Sequence, residues 1–143
     1  MRGVVHLPPP AVRRVRELAV AAWPREACGL LEGRALGAVV HVHAALACVN
    51  VDPTPQRRYC IDPQAYLHAE RAAMRAGRSI VGVWHSHPHG DASASPTDRA
   101  EAWPGWSYLI AGVTNEGMTA LRCWRLLDDD LFEQSLLIAG ARP

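Results

Sequence analysis

The chain has 143 residues, 49% of them apolar and 20% charged, a composition that suits one folded domain over residues 1–143 and excludes a disordered chain. Its 15 basic and 14 acidic residues leave a net charge of +1, so neither nucleic acid nor an anionic membrane is an expected partner. All of the basic residues are arginine; without lysine there is no Schiff-base chemistry and no Walker-type phosphate loop.

Val4 to Leu7 is a short strand candidate, ended by Pro8-Pro9-Pro10. A helix follows, because Val12, Val15, Leu18, Ala19 and Ala22 share one face while Arg13, Arg14 and Glu17 fall elsewhere. Pro24 stops it. Apolar runs over residues 27–31 and 36–49, separated by Glu32-Gly33-Arg34, read as a hairpin. Residues 50–58 hold two prolines and form a loop. The second helix is well punctuated: Asp62 suits the N-cap, Pro63 the first helical position and Gly77 the C-terminal cap, with Tyr66, Ala69, Ala73 and Met74 as its apolar stripe. Residues 79–84 form a strand that runs into His85-Ser86-His87-Pro88. A loop of small and polar residues leads to a short helix near 96–103, and strands at 107–113, 118–126 and 131–138 close the chain. The pattern predicts an α/β (α+β) fold, a mixed sheet sandwiched by two or three helices. No apolar run approaches the ~18 residues of a membrane span, and the first residues lack the apolar centre of a signal peptide. A cytoplasmic protein is the expectation. Cys28, Cys48, Cys60 and Cys123 form no C-x-x-C pair and read as small buried side chains.

His85 and His87 end the fourth predicted strand. Residues two apart on a strand point to the same side, so both imidazoles can face one point. Asp98 comes 11 residues after His87, with Ser95 three residues before it. The loop between them can fold Asp98 back to the strand end. Two histidines, one carboxylate and an open fourth position are the donor set of a catalytic zinc site. The plainer alternative stays open: Ser95-Pro96-Thr97-Asp98 is also a helix start, with Ser95 as N-cap. A second H-x-H, His41-Val42-His43, has no carboxylate at a matching spacing and reads as strand surface. Trp84, Trp103 and Trp106 read as core and loop anchors, though one of them could line a substrate groove. A zinc deaminase is disfavoured, since its H-x-E and P-C-x-x-C signature is absent.

His85-Ser86-His87-Pro88, six residues, then Ser95-Pro96-Thr97-Asp98 resembles the H-x-H-P-x6-S-x-x-D motif of the JAMM (MPN+) metalloprotease family. Pro24-Arg25-Glu26-Ala27-Cys28-Gly29-Leu30-Leu31-Glu32-Gly33 resembles that family's glutamate segment, and Asn50, Ile61-Asp62-Pro63 and Val81-Gly82-Val83-Trp84 are similar to it as well. One departure is Ala94, where many members have proline. The resemblance implies a JAMM/MPN-like (cytidine-deaminase-like) fold of the short prokaryotic type. It implies one Zn²⁺ per chain on His85, His87 and Asp98, with Glu26 as general base, Ser95 as oxyanion donor and no organic cofactor. It further implies a metallopeptidase or isopeptidase that cuts after the C-terminal Gly-Gly of a ubiquitin-like sulfur-carrier protein. The carrier's tail would bind by strand addition to an exposed sheet edge. A homodimer is compatible with this reading. The alternative is a catalytically silent MPN-type interaction module.

Overall fold

The computed structural model describes residues 3–138. Their elements are β1 (Val4–Leu7), α1 (Pro9–Ala22), β2 (Cys28–Leu36), β3 (Val39–Cys48), α2 (Pro63–Arg75), β4 (Ser79–His87), α3 (Pro96–Glu101), β5 (Ser107–Thr114), β6 (Gly117–Leu127) and β7 (Asp130–Ile138). The mixture of helix and strand is the expected α+β one. Pro9 and Pro10 open α1, where a missing N–H costs nothing. Asp62 caps α2 by accepting the Gln64 N–H, and Gly77 leaves the helix at φ +75°. No helix among the described residues is long and apolar enough to cross a membrane.

The sheet is mixed but differs from the expected sandwich. Its order, β1-β3-β2-β4-β5-β6-β7, closes on itself because β1 pairs in parallel with both β3 and β7. That closure joins the two ends of the chain, and no local pattern announces such a contact. All seven strands line the interior, where Val5, Leu31, Val40, Val81, Leu109 and Cys123 surround Ala11, Val15 and Ala19 of α1, and Leu136 of β7 packs against them. Outside, α2 covers β2, β4 and β5: Ala73, Tyr66 and Ala69 meet Leu30, Val83 and Tyr108. Strand β4 is therefore buried on both faces along residues 80–87, which is why it reads as an apolar run without alternation. Closure narrows the open sheet edge that strand addition would use without abolishing it. One-sided strand backbone remains in residues 42–48 of β3, beyond the reach of β1, and in residues 117–122 of β6, beyond that of β7.

Three local expectations need correction. The β2–β3 turn is at Gly37, with φ +62°, and not at Gly33. Gly33 sits at a register shift inside β2, where a Cβ would stand 2.0 Å from the His41 carbonyl oxygen. Met74 is 65% exposed while its neighbour Ala73 faces inward, so the α2 stripe is narrower than predicted. Of the cysteines, all free, Cys28 and Cys123 are buried, Cys48 is half-buried and Cys60 is exposed.

Trp84 shows how tightly the centre is built. Its indole crosses β2 above Gly29 and donates to the Leu46 carbonyl at 2.9 Å. A Cβ on Gly29 would lie 1.8 Å from that oxygen and 2.3 Å from the indole nitrogen. Gly29→Ala is expected to cost about 2–3 kcal/mol, as overpacking of a filled core does. A urea midpoint equal to that of the wild type would contradict this packing.

Candidate metal centre

Strands β2 and β4 run antiparallel with Cys28 opposite His85. Their contact continues past the strand end: the Ser86 N–H donates to the Ala27 carbonyl at 3.0 Å, and the Ala27 N–H donates to Ser86 Oγ at 2.8 Å. The start of β2 is thereby fixed beside the end of β4, and this register sets Glu26 next to His87. Asp98 arrives from α3 through a reciprocal cap. Its N–H donates to Ser95 Oγ at 3.0 Å, and its Oδ2 accepts the Ser95 N–H at 2.8 Å. The capping role read from the sequence is real, and it is also what aims the carboxylate at the histidines.

His85 Nε2 and His87 Nε2 lie 3.0 Å apart. Asp98 Oδ2 is 3.1 Å from His87 Nε2, and Oδ1 is 3.2 Å from His85 Nε2. His87 Nδ1 faces the Asp91 carbonyl oxygen at 2.9 Å. A carbonyl can only accept, so Nδ1 carries the hydrogen and Nε2 of the neutral ring is a bare lone pair. The bare lone pair of His87 Nε2, the Nε2 of His85 and the Asp98 carboxylate thus converge on one point. That donor set fits a divalent cation such as zinc, with three protein ligands and an open side. Without a metal ion a proton takes part of this role. Burial opposes protonation of His87, but the Asp98 carboxylate outweighs burial and its pKa is raised. For the fully enclosed His85 burial wins and the pKa falls. Burial also works against ionised Asp98, yet hydrogen bonds with both histidines and the Ser95 amide hold it well below the usual carboxylate range.

Glu26 is 7% exposed and lines a cavity of about 220 Å³ together with His87, Ser95 and Asp98. Burial drives its pKa up to about 7, partly offset by His87. Its backbone is anchored on both sides: the N–H donates to Pro55 O at 2.7 Å, and its carbonyl accepts from Asn50 Nδ2 at 3.0 Å. On its other side Glu26 borders a second cavity of about 270 Å³, between α1 and the end of β3. The structure therefore gathers Glu26, His85, His87, Ser95 and Asp98 into one place.

Other candidates separate from the site. The Cys28 thiol donates to the Cys48 carbonyl at 3.7 Å, and burial pushes its pKa up to about 12, which rules out a thiolate nucleophile. His41 and His43 are exposed on β3, and the His41 ring stacks on His6 at 4.6 Å. Trp84 is core, as expected, but Trp103 is 71% exposed. It stands with Trp106, Tyr66 and Ile61 around a groove of about 910 Å³ that meets the metal centre at Tyr59 and Glu101. Sequence reasoning missed Tyr59, whose ring stacks on His85 at 4.4 Å, and Trp23, whose indole donates to the Pro88 carbonyl at 3.0 Å. Neither belongs to a spaced motif. The Asp91 carbonyl was also invisible, because backbone atoms leave no trace in residue type.

A mixed sheet with two histidines at the end of β4, and an aspartate brought to them from α3, is the arrangement expected of a JAMM-type hydrolase. The chain matches the family described as prokaryotic homologs of the JAB domain over residues 8–127, and it belongs to that family. It is 41% identical over 96 residues to a desampylase of Haloferax volcanii, covering 66% of this chain and 68% of that protein. It is 35% identical over 110 residues to a probable TtuB-protein conjugate cleaving protease of Thermus thermophilus, covering 77% of this chain and 71% of that one. Among solved structures, a protein from Desulfitobacterium hafniense superposes with TM-score 0.84 at 27% identity, covering 96% of this chain and 94% of that one. One from Salinibacter ruber gives 0.71 at 31% identity, covering 94% and 91%.

The position of Glu26 has a measurable consequence for stability. Its pKa is raised on folding, so the folded state keeps a proton that the unfolded chain releases above its ordinary value of 4.5. Glu26 should therefore contribute to the metal-free protein a loss of stability that grows as pH rises toward 7 and levels off above it, on the order of 3 kcal/mol. Metal-free Glu26→Gln should match the wild type near the acid end of this window and melt higher than it at pH ~8. Parallel melting curves for the two proteins across the window would contradict a buried, proton-holding Glu26.

Proposed function

We propose that the chain is a zinc-dependent isopeptidase that hydrolyses the amide bond after the C-terminal Gly-Gly of a ubiquitin-like sulfur-carrier protein. In this reading residues 1–143 act as one domain, with one zinc per chain on His85, His87 and Asp98. The observation that carries it is the convergence of one ligand atom each from His85, His87 and Asp98, all within 4.8 Å of one another, beside a cavity that Glu26 lines. The two named relatives, which by name act on such conjugates, support the substrate class.

When bound, zinc supplies Lewis acidity and makes water a source of hydroxide near pH ~7. Glu26, buried on the same cavity, takes the proton of the attacking water on its carboxylate and returns it to the leaving amine nitrogen. Ser95 Oγ already accepts the Asp98 N–H. Its hydroxyl hydrogen remains available to donate to the carbonyl oxygen on which charge develops. His85 and His87 are held from behind, by the Tyr59 ring and the Asp91 carbonyl respectively. The cavities on either side of Glu26 are small, about 220 and 270 Å³, and favour residues without side chains beside the scissile bond. The apolar groove at Trp103 and Trp106 adjoins the first of them at Tyr59 and Glu101 and offers a surface for the body of a protein substrate.

Elemental analysis should find about one zinc per chain in the wild type and none held by His85→Ala/His87→Ala. Full zinc in that double variant would remove the ligand assignment. Glu26→Gln should keep zinc while kcat falls roughly 10²–10⁴-fold, and Ser95→Ala should keep zinc with a loss of about 10²–10³-fold. A wild-type rate in either would strip that residue of its role. Mass spectrometry of a carrier bearing one residue beyond its Gly-Gly should show chelator-sensitive release of that residue. No cleavage of any cognate carrier by zinc-loaded enzyme would refute the substrate assignment and leave the hydrolytic chemistry standing.

A further inference from the structure

The loop between His87 and Ser95 supplies no metal ligand, yet β6 holds it by three side chains. Thr119 Oγ1 donates to the Gly90 carbonyl at 2.7 Å, Trp124 Nε1 donates to the Ala92 carbonyl at 3.1 Å, and Arg122 Nη1 donates to Ser93 Oγ at 3.0 Å. Arg122 is itself fixed. It forms a two-armed pair with Glu133 of β7, at 2.9 and 3.0 Å, and its guanidinium lies over the Trp124 ring, 4.6 Å from the centroid. Arg122 and Trp124 are two residues apart and share one face of β6. The loop can lie this close because β5 has glycine at position 112, where a Cβ would stand 2.2 Å from the Gly90 oxygen.

The carbonyls of Gly90 and Ala92 are thus both taken by β6. The one between them, on Asp91, turns the other way and accepts from His87 Nδ1 at 2.9 Å. We infer that Arg122 and Trp124 are positioning residues for the metal centre: they grip the loop from β6 so that the Asp91 carbonyl keeps the hydrogen of His87 on Nδ1 and leaves Nε2 bare for a divalent cation. This rests on reading His85, His87 and Asp98 as the ligands. A neutral imidazole has one ring hydrogen and two sites for it. With the Asp91 acceptor loosened, the hydrogen populates Nε2, next to the Asp98 carboxylate, and a metal ion must displace it. Carbonyl partners of ligating histidines characteristically control affinity in this way.

The test compares wild type, Trp124→Phe, Arg122→Gln and the double variant by two measurements. One is zinc affinity from competition with a chromophoric chelator. The other is the pair of His87 ring ¹⁵N shifts in the metal-free protein, recorded at a pH alkaline enough that the ring is neutral, which report where the hydrogen sits. Each single change should weaken zinc binding by roughly 10-fold and shift His87 from one tautomer toward a mixture. Arg125→Gln serves as the control. Arg125 lies on the same strand but donates to Gly37 and Gly105 carbonyls, away from the loop, and its loss should change neither measurement. Should a β6 variant fail to fold, Ser93→Ala removes the Arg122 contact from the loop side and should give the same two shifts. Variants that keep wild-type zinc affinity and the Nδ1–H tautomer overturn the inference while leaving the ligands in place. A wild type that binds no zinc overturns the ligand reading and this inference with it.

Discussion

Three groups that must share a proton or a cation crowd the end of β4. Two imidazole nitrogens and a carboxylate stand 3.0–3.2 Å from one another, and such groups stay together only with a proton or a cation among them. The rest of the protein must therefore supply the force that keeps them in place when the cation is absent. Burial of β4 on both faces fixes the backbone that carries the histidines. The Ser95 cap fixes the aspartate, and the Asp91 carbonyl fixes one ring. His85 differs: its Nδ1 is buried without a hydrogen-bond partner among the described residues, and the Tyr59 ring stacks on it. The two histidines are thus held by different means, one through a polar acceptor and one through stacking and enclosure.

In the proposed role of general base, Glu26 faces the opposite demand. A general base is most effective with a pKa near the working pH, and an ordinary carboxylate is far too acidic. Burial moves Glu26 to about 7, and it does so by making the ionised form costly. A group in that position needs its main chain held firmly, or the segment would swing out to water. Asn50 provides the hold. Its amide donates to the Glu26 and Arg58 carbonyls, while its oxygen accepts from the Asp52 and Cys60 amides. Every bonding site of that side chain is spent, three within the 50–60 loop and one on the segment before β2. Stability given up at the carboxylate is the usual companion of function at such a site.

Much of this was legible in the sequence because local chemistry carried it. The caps of α2, the strand running into His85, and the serine-proline-threonine-aspartate helix start all appear where residue type and spacing place them. What failed shares a cause. Gly33 was read as a turn because glycine permits one, whereas here it admits the His41 carbonyl of a neighbouring strand. The closing of the sheet joins residues 4–7 to 135–138, and Trp103 is exposed because it rims a groove built from α2, α3 and β5. Each depends on which distant segment lies alongside, and that information is not stored within a window of the chain. Tyr59 illustrates the limit. It touches His85 from a loop whose composition signals only irregular structure.

The metal centre also draws on residues with no chemistry of their own. Strand β5 pairs in parallel with β4 so that His87 lies opposite Gly112, and β6 then pairs with β5 so that Ala120 lies opposite the same glycine. Position 112 is thus the crossing point where the loop leaves β4, passes over β5 and reaches Thr119, Arg122 and Trp124 on β6. A side chain there would collide with the Gly90 carbonyl, at 2.2 Å, and lift the loop from all three donors at once. Asp91 would move with it, and His87 would lose its acceptor. Register between strands, the pairing of β6 with β7 through Arg122 and Glu133, and one missing Cβ therefore reach the metal centre through a single carbonyl. Closing the sheet is what makes that path stiff, because β7 is itself held by β1. The contact that local reasoning could not see thus also supports the site that local reasoning found.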